Sequence, residues 1–136
     1  MRVALLGAGH IGHTIASLLS NTTDYQVKVV ERSAQALQAL HQLPVETVCI
    51  DTADAQALRG ALRGCDAVIN ALPYHLATLA ATQAAAAGCH YFDLTEDVRA
   101  TRSIMKMAKG AKTAFMPQCG LAPGFIGIVA HHLAQK

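Results

Sequence analysis

A G-x-G-x-x-G hexapeptide, Gly7-Ala8-Gly9-His10-Ile11-Gly12, stands between a short apolar run and a helical pattern. No other feature constrains the chain as strongly, because this placement calls for a strand feeding a helix through a bend free of side chains. Gly7 permits the tight turn, Gly9 lets the backbone approach a pyrophosphate, and Gly12 lets the helix pack closely on the strand. The helix N-terminus offers unpaired N–H groups and a partial positive charge to phosphates. His10 and Ile11, at the start of that helix, are counted with the three glycines as cofactor-binding.

The rest of the chain continues the pattern. Apolar runs at Val3–Leu6, Val27–Val30, Thr47–Ile50, Ala67–Ile69, Tyr91–Phe92 and Thr113–Met116 lack polar alternation. Such runs suit a parallel sheet covered on both faces. Helical stretches separate them. Ile11, Ile15, Leu18 and Leu19 recur at helical spacing and predict the buried face of the first helix. Ser33 is read as the N-cap of a helix to about His41, and Asp54 as the cap of one through Leu62. His75–Ala87 predicts a helix ending at Gly88, and Val98–Lys109 one ending in the same way at Gly110. Pro123 suits the first turn of a last helix towards Gln135. Right-handed crossovers then predict an α/β fold, a Rossmann-type doubly wound parallel sheet of about six strands in the order 3-2-1-4-5-6.

Glu31 ends the second run, 19 residues beyond Gly12. An acidic side chain there can accept hydrogen bonds from both hydroxyls of an adenosine ribose and would repel a 2′-phosphate. NAD is therefore the expected cofactor. Arg32 beside it can pair with a 2′-phosphate, which keeps NADP as the alternative. Asp51 and Thr52 follow the third run and lie either near the adenine or, for Asp51, at the cap of the next helix. Ala71, Leu72 and Pro73, after the fourth run, are expected to flank the nicotinamide half across the switch point.

Composition narrows the function classes. A net charge of +2, with basic residues scattered along the chain, gives no footprint for nucleic acid. No apolar run approaches the roughly 18 residues of a membrane span. Cys49, Cys65, Cys89 and Cys119 form no C-x-x-C pair, and no metal site is expected. Without a secretion signal, reduced thiols in a cytoplasmic protein are the expectation. Tyr25, Tyr74 and Tyr91 are followed four positions later by Val29, Thr78 and Thr95, so the Tyr-x-x-x-Lys arrangement of short-chain reductases is not written here.

Three blocks carry a more specific likeness: Asn70-Ala71-Leu72-Pro73-Tyr74, the stretch Ala87-Gly88-Cys89-His90-Tyr91-Phe92-Asp93-Leu94-Thr95-Glu96-Asp97, and Cys119-Gly120-Leu121-Ala122-Pro123-Gly124. With them the chain resembles the saccharopine dehydrogenase family, in its lysine 6-dehydrogenase and saccharopine reductase branch, over nearly its whole length. The resemblance implies a two-domain oxidoreductase acting on the C–N bond of an amino acid, a small-molecule substrate. Hydride would pass between nicotinamide C4 and an amine or imine carbon. It implies that Tyr74, Cys119 and Gly120 border the substrate. Residues 1–136 would form the dinucleotide-binding domain of an excised fragment, with a substrate domain downstream and a homodimer expected of the full-length protein.

Amine oxidation also needs a proton acceptor. Asp93, Glu96, His75 and bound water are the candidates, with helix capping the alternative for Asp93. Cys119, near a helix N-terminus, is expected to have a lowered thiol pKa, while substrate contact or plain packing is its expected use. Tyr74 either meets substrate and nicotinamide or packs. The catalytic candidates are thus Tyr74, Asp93 and Cys119. The competing reading is a module that senses NAD(H) and regulates a partner without catalysis.

Overall fold

A parallel ladder joined by helical crossovers buries both of its faces, so its strands need apolar side chains pointing both ways. The computed structural model describes residues 1–136, apart from the Pro123 side chain. Its elements run β1 Arg2–Leu6, α1 His10–Ser20, β2 Gln26–Glu31, α2 Ala34–Gln38, β3 Glu46–Cys49, α3 Ala55–Ala61 and β4 Ala67–Asn70. They continue with α4 Ala77–Ala87, β5 His90–Asp93, α5 Val98–Ala108, β6 Phe115–Met116 and α6 Ile126–Ala134. The strands form one parallel sheet in the order β3-β2-β1-β4-β5-β6, the order expected of the pattern.

Strand alternation divides the core in two. Ala4 and Leu6 of β1 join Val68 and Tyr91 in a cluster with Leu58, Ala80, Ala81, Ala84 and Ile104 from α3, α4 and α5. Leu5 faces the other way, with Val27 and Val29, onto Ala16 of α1 and Leu37 and Leu40 in and after α2. In the register, Leu6 lies opposite Val30 on one side and Asn70 on the other, and Asn70 lies opposite Asp93. The carboxyl ends of β1, β2, β4 and β5 therefore meet at one edge, where open α/β sheets hold their ligands.

Helix boundaries follow local chemistry. The Ser33 hydroxyl accepts from the Ala36 amide, the Asp54 carboxylate from Gln56 and Ala57, and the Asp97 carboxylate from Ala100. Helix α4 ends at Gly88 (φ 71°), with Cys89 N–H donating to Ala84 O and Gly88 N–H to Ala85 O, the paired bonds of a Schellman motif.

Several expectations are corrected. The buried positions of α1 are Gly12 and Ala16, flanked by Ile15 and Leu19, whereas Ile11 and Leu18 are exposed. The closest approach to the sheet is made by the smallest side chains, and this turns the helix away from the face that its large apolar residues suggest. Gly110 does not terminate α5 as Gly88 terminates α4: its φ is not positive, and its N–H closes a tight turn onto Met107 O. A single 3₁₀ turn, Tyr74–Leu76, precedes α4, which begins at Ala77 rather than His75. Strand β3 is an exposed edge rather than a strand covered on both faces. The last helix begins at Ile126, after a wide turn over Leu121–Phe125 interrupted at Ala122 (φ −134°, ψ 128°). No helix among the described residues is long and apolar enough to cross a membrane, and no cluster of His, Cys, Asp and Glu there could hold a metal ion.

Candidate functional site

The bend after β1 is held by steric contact on two sides. Gly7 has φ 98°, the left-handed region open mainly to glycine, and a side chain there would meet Ala71 O at 3.0 Å. A Cβ on Gly12 would lie 2.1 Å from Gly7 O, so the first turn of α1 sits directly on the bend. Gly9 differs: its backbone is ordinary extended chain (φ −67°, ψ −173°), and a Cβ there would meet no protein atom within 4 Å. The space beside Gly9 is open groove.

Helix α1 starts without a side-chain cap and without an acidic residue in its first turn. Its first intrahelical bond runs from His13 N–H to Gly9 O at 2.8 Å, which leaves the amides of His10, Ile11 and Gly12 without an intrahelical acceptor. Helices α2, α3 and α5 have their N-termini closed by Ser33, Asp54 and Asp97. The positive end of α1 is thus available to an anion.

Two adjoining cavities flank this helix end, each of about 490 Å³, and both are bordered by Ala71 and Leu72. The one on the β2 side brings together Gly7, Gly9, Glu31, Arg32, Asp51, Thr52, Ala71, Leu72 and Pro73, with Ala53, His75 and Leu76. The Glu31 carboxylate faces the bend: Oε2 accepts from Ala8 N–H at 3.0 Å, and Oε1 accepts from Arg32 N–H at 2.7 Å and Ser33 N–H at 3.0 Å. Asp51 Oδ1 accepts from Ala53 N–H, a local turn, and the cap of α3 is Asp54. The cavity on the β5 side is lined by Ile11, Asn70, Ala71, Leu72, Tyr74, Leu94, Thr95, Glu96 and Asp97. Ile11 is exposed because it borders this space. The Tyr74 ring stands edge-on to His75 at 5.8 Å.

Five candidate residues do not line either cavity: His10, Gly12, Asp93, Cys119 and Gly120. Gly12 lies beneath the bend, and His10 is exposed at the start of α1. Asp93 is fully buried, and both its oxygens are engaged. Oδ2 accepts from the Tyr91 hydroxyl at 2.8 Å, and Oδ1 accepts from Thr95 N–H at 3.0 Å and Gln118 N–H at 3.2 Å. A carboxylate so placed organises loops instead of reaching a substrate. The expectation of a lowered pKa at Cys119 is not met: partial desolvation and the charge of Asp93 push the thiol up although the residue is exposed, and Sγ donates to Met116 O. Proximity to a helix start does not offset these effects, since α6 begins only at Ile126.

Asn70, Leu94, Thr95 and Asp97 border the β5-side cavity without having been singled out as site residues. A polar residue closing a buried apolar strand, as Asn70 closes β4, was the available signal.

A family model described as the saccharopine dehydrogenase NADP binding domain matches residues 3–116. Among solved structures, the chain is similar to apo saccharopine dehydrogenase (L-Glu forming) from Saccharomyces cerevisiae, with 25% identity and a TM-score of 0.86, over 95% of this chain and 29% of that one. It is also similar to myo-inositol 2-dehydrogenase from Lactobacillus plantarum (21% identity, TM-score 0.69, 86% of this chain and 35% of that one). A third likeness is to the NADPH-dependent quinone oxidoreductase from Escherichia coli, in complex with NADPH (20% identity, TM-score 0.66, 85% and 47%). The last two share the fold. The chain spans less than half the length of each of these proteins. With the glycine bend, the strand order and the match over residues 3–116 in agreement, the chain belongs to the saccharopine dehydrogenase NADP binding domain family.

Proposed function

We propose that this chain is the cofactor-binding part of an oxidoreductase acting on the C–N bond of an amino acid, passing hydride between nicotinamide and an amine or imine carbon. Its family membership makes it an NAD(P)-binding dehydrogenase domain. The observation that carries the reading is the uncapped N-terminus of α1 above a bend whose Gly9 faces open groove. The pyrophosphate sits there, the adenosine occupies the β2-side cavity, and the nicotinamide occupies the β5-side cavity. When bound, the cofactor supplies the hydride chemistry. Tyr74 borders the substrate at the mouth of the β5-side cavity. Asp97 caps α5 and Asp93 is buried, so Glu96 is the carboxylate of this wall assigned to accept the amine proton.

A downstream substrate domain completes the site in this reading. Helix α6 and the residue before it support this: no residue of the helix is buried, and Phe125, Ile126, Ile128 and Leu133 are each more than half exposed, the surface such a domain would cover. The test is a turnover screen of the full-length protein with lysine, saccharopine and related amines, using both cofactors. Cofactor binding without turnover of any of them would sink the amino-acid assignment.

NADH is expected to bind more tightly than NADPH, by about tenfold or 1.4 kcal/mol. The Glu31 carboxylate already points at the bend and would meet a 2′-phosphate as a like charge. Calorimetric titration with each dinucleotide measures the order, and tighter NADPH binding would transfer the decision to Arg32.

A further inference from the structure

A chain of buried polar side chains runs beneath the β5-side cavity. Tyr91 and Asp93 are two apart on β5 and share a face, and Asn70 at the end of β4 lies opposite Asp93 in the register. All three are 2% exposed or less. The Asn70 amide donates to the Tyr91 hydroxyl at 3.1 Å, and that hydroxyl donates to Asp93 Oδ2 at 2.8 Å. The ends of the chain hold backbone. Asn70 Oδ1 accepts from Leu72 N–H at 3.1 Å, and Asp93 Oδ1 accepts from Thr95 and Gln118 N–H. Gln118 has φ 65°, a left-handed conformation that few non-glycine residues adopt, and its amide is held there by Asp93 Oδ1. Burial, the Asp93 charge and the hydrogen bond to it push the Tyr91 hydroxyl well above its ordinary range, so it stays protonated and able to donate.

We infer that Asn70, Tyr91 and Asp93 act as one positioning unit, which sets the shape of the cavity for the nicotinamide ring more than that of the adenosine half. Asn70 and Thr95 border only the β5-side cavity, and no side chain of the network bonds the bend, Glu31 or Arg32; Leu72, which Asn70 holds, borders both cavities, so the β5 side carries most of the network's contacts. In a buried network each lost member leaves its partner unsatisfied, so a single hydroxyl has leverage over three loops. The inference rests on reading the groove as a dinucleotide site.

The test compares NADH with ADP-ribose, which lacks the nicotinamide ring, by calorimetry on the 136-residue chain and its Tyr91→Phe variant. The variant keeps the ring that stacks on Phe115 at 5.7 Å and removes only the hydroxyl. NADH affinity is expected to fall about tenfold, while ADP-ribose affinity stays within about twofold. A general loosening of the fold would weaken both ligands alike. Equal losses, or no loss of either, in a variant with native circular dichroism would overturn the inference. Asn70→Ala should show the same direction, a larger loss for NADH than for ADP-ribose, and decides the matter if Tyr91→Phe does not fold. A wild-type chain that binds neither ligand would remove the cofactor reading and this inference together.

Discussion

Gly9→Val is expected to abolish dinucleotide binding while leaving the domain folded. The reason lies in what surrounds Gly9. Its φ of −67° and ψ of −173° suit any residue, and no protein atom lies within 4 Å of where a Cβ would stand. Beyond its own chain neighbours, the fold therefore has no steric objection to a Cβ here. Valine is a poorer N-cap than glycine, which costs about 1 kcal/mol and lowers the melting temperature by a few degrees. The ligand meets a different situation, because a branched side chain would occupy the space between the α1 amides and the pyrophosphate. Affinity for NADH should fall at least about a hundredfold, or roughly 2.8 kcal/mol. Calorimetric titration beside thermal unfolding separates the two effects. Undiminished affinity in a folded variant would move the phosphates elsewhere.

Gly12→Ala should do the opposite and damage the fold itself. The added Cβ would stand 2.1 Å from Gly7 O and 2.8 Å from Gly7 C, both backbone atoms. Gly7 has no room to retreat, since its other side lies against Ala71 O and its N–H is tied to Val30 O at 2.9 Å. Relief requires α1 to lift from the sheet, opening the packing of Ile15, Ala16 and Leu19 on Leu5 and Val29. The expected cost is about 3 kcal/mol, a large share of the stability of a small domain. Urea denaturation would show it as a lower midpoint. A midpoint equal to the wild type would mean that α1 and the bend are less tightly apposed than the contact at Gly12 indicates. The two variants together assign different duties to glycines three residues apart: Gly9 makes room for a ligand, and Gly12 makes room for the protein.

Much of the molecule was legible from local pattern. The alternation of strands and helices, the bend, the Ser33 and Asp54 caps and the Gly88 terminus each rest on residues within a few positions of one another. Glu31, Asp51, Thr52 and the 71–73 loop were likewise placed by their distance from strand ends, and the structure gathers them around one cavity. What local pattern did not supply was direction and depth. Ile11 and Leu18 have helical spacing, yet the side of α1 that meets the sheet is chosen by close contact at Gly12 and Ala16. Asp93 reads as a strand-end acid of the kind that faces ligands. Tyr91, Thr95 and Gln118 instead turn it into a buried anchor.

Periodicity and turn chemistry are properties of adjacent residues, so the chain alone determined an alternating β/α order and a side-chain-free bend at its start. Whether a given acid or thiol reaches the groove depends on groups brought from 20 or more positions away, as Gln118 is brought to Asp93 and Leu94 to Gly120. Only tertiary packing decided that, because desolvation and hydrogen bonding at a site are set by everything that surrounds it and not by its neighbours along the chain.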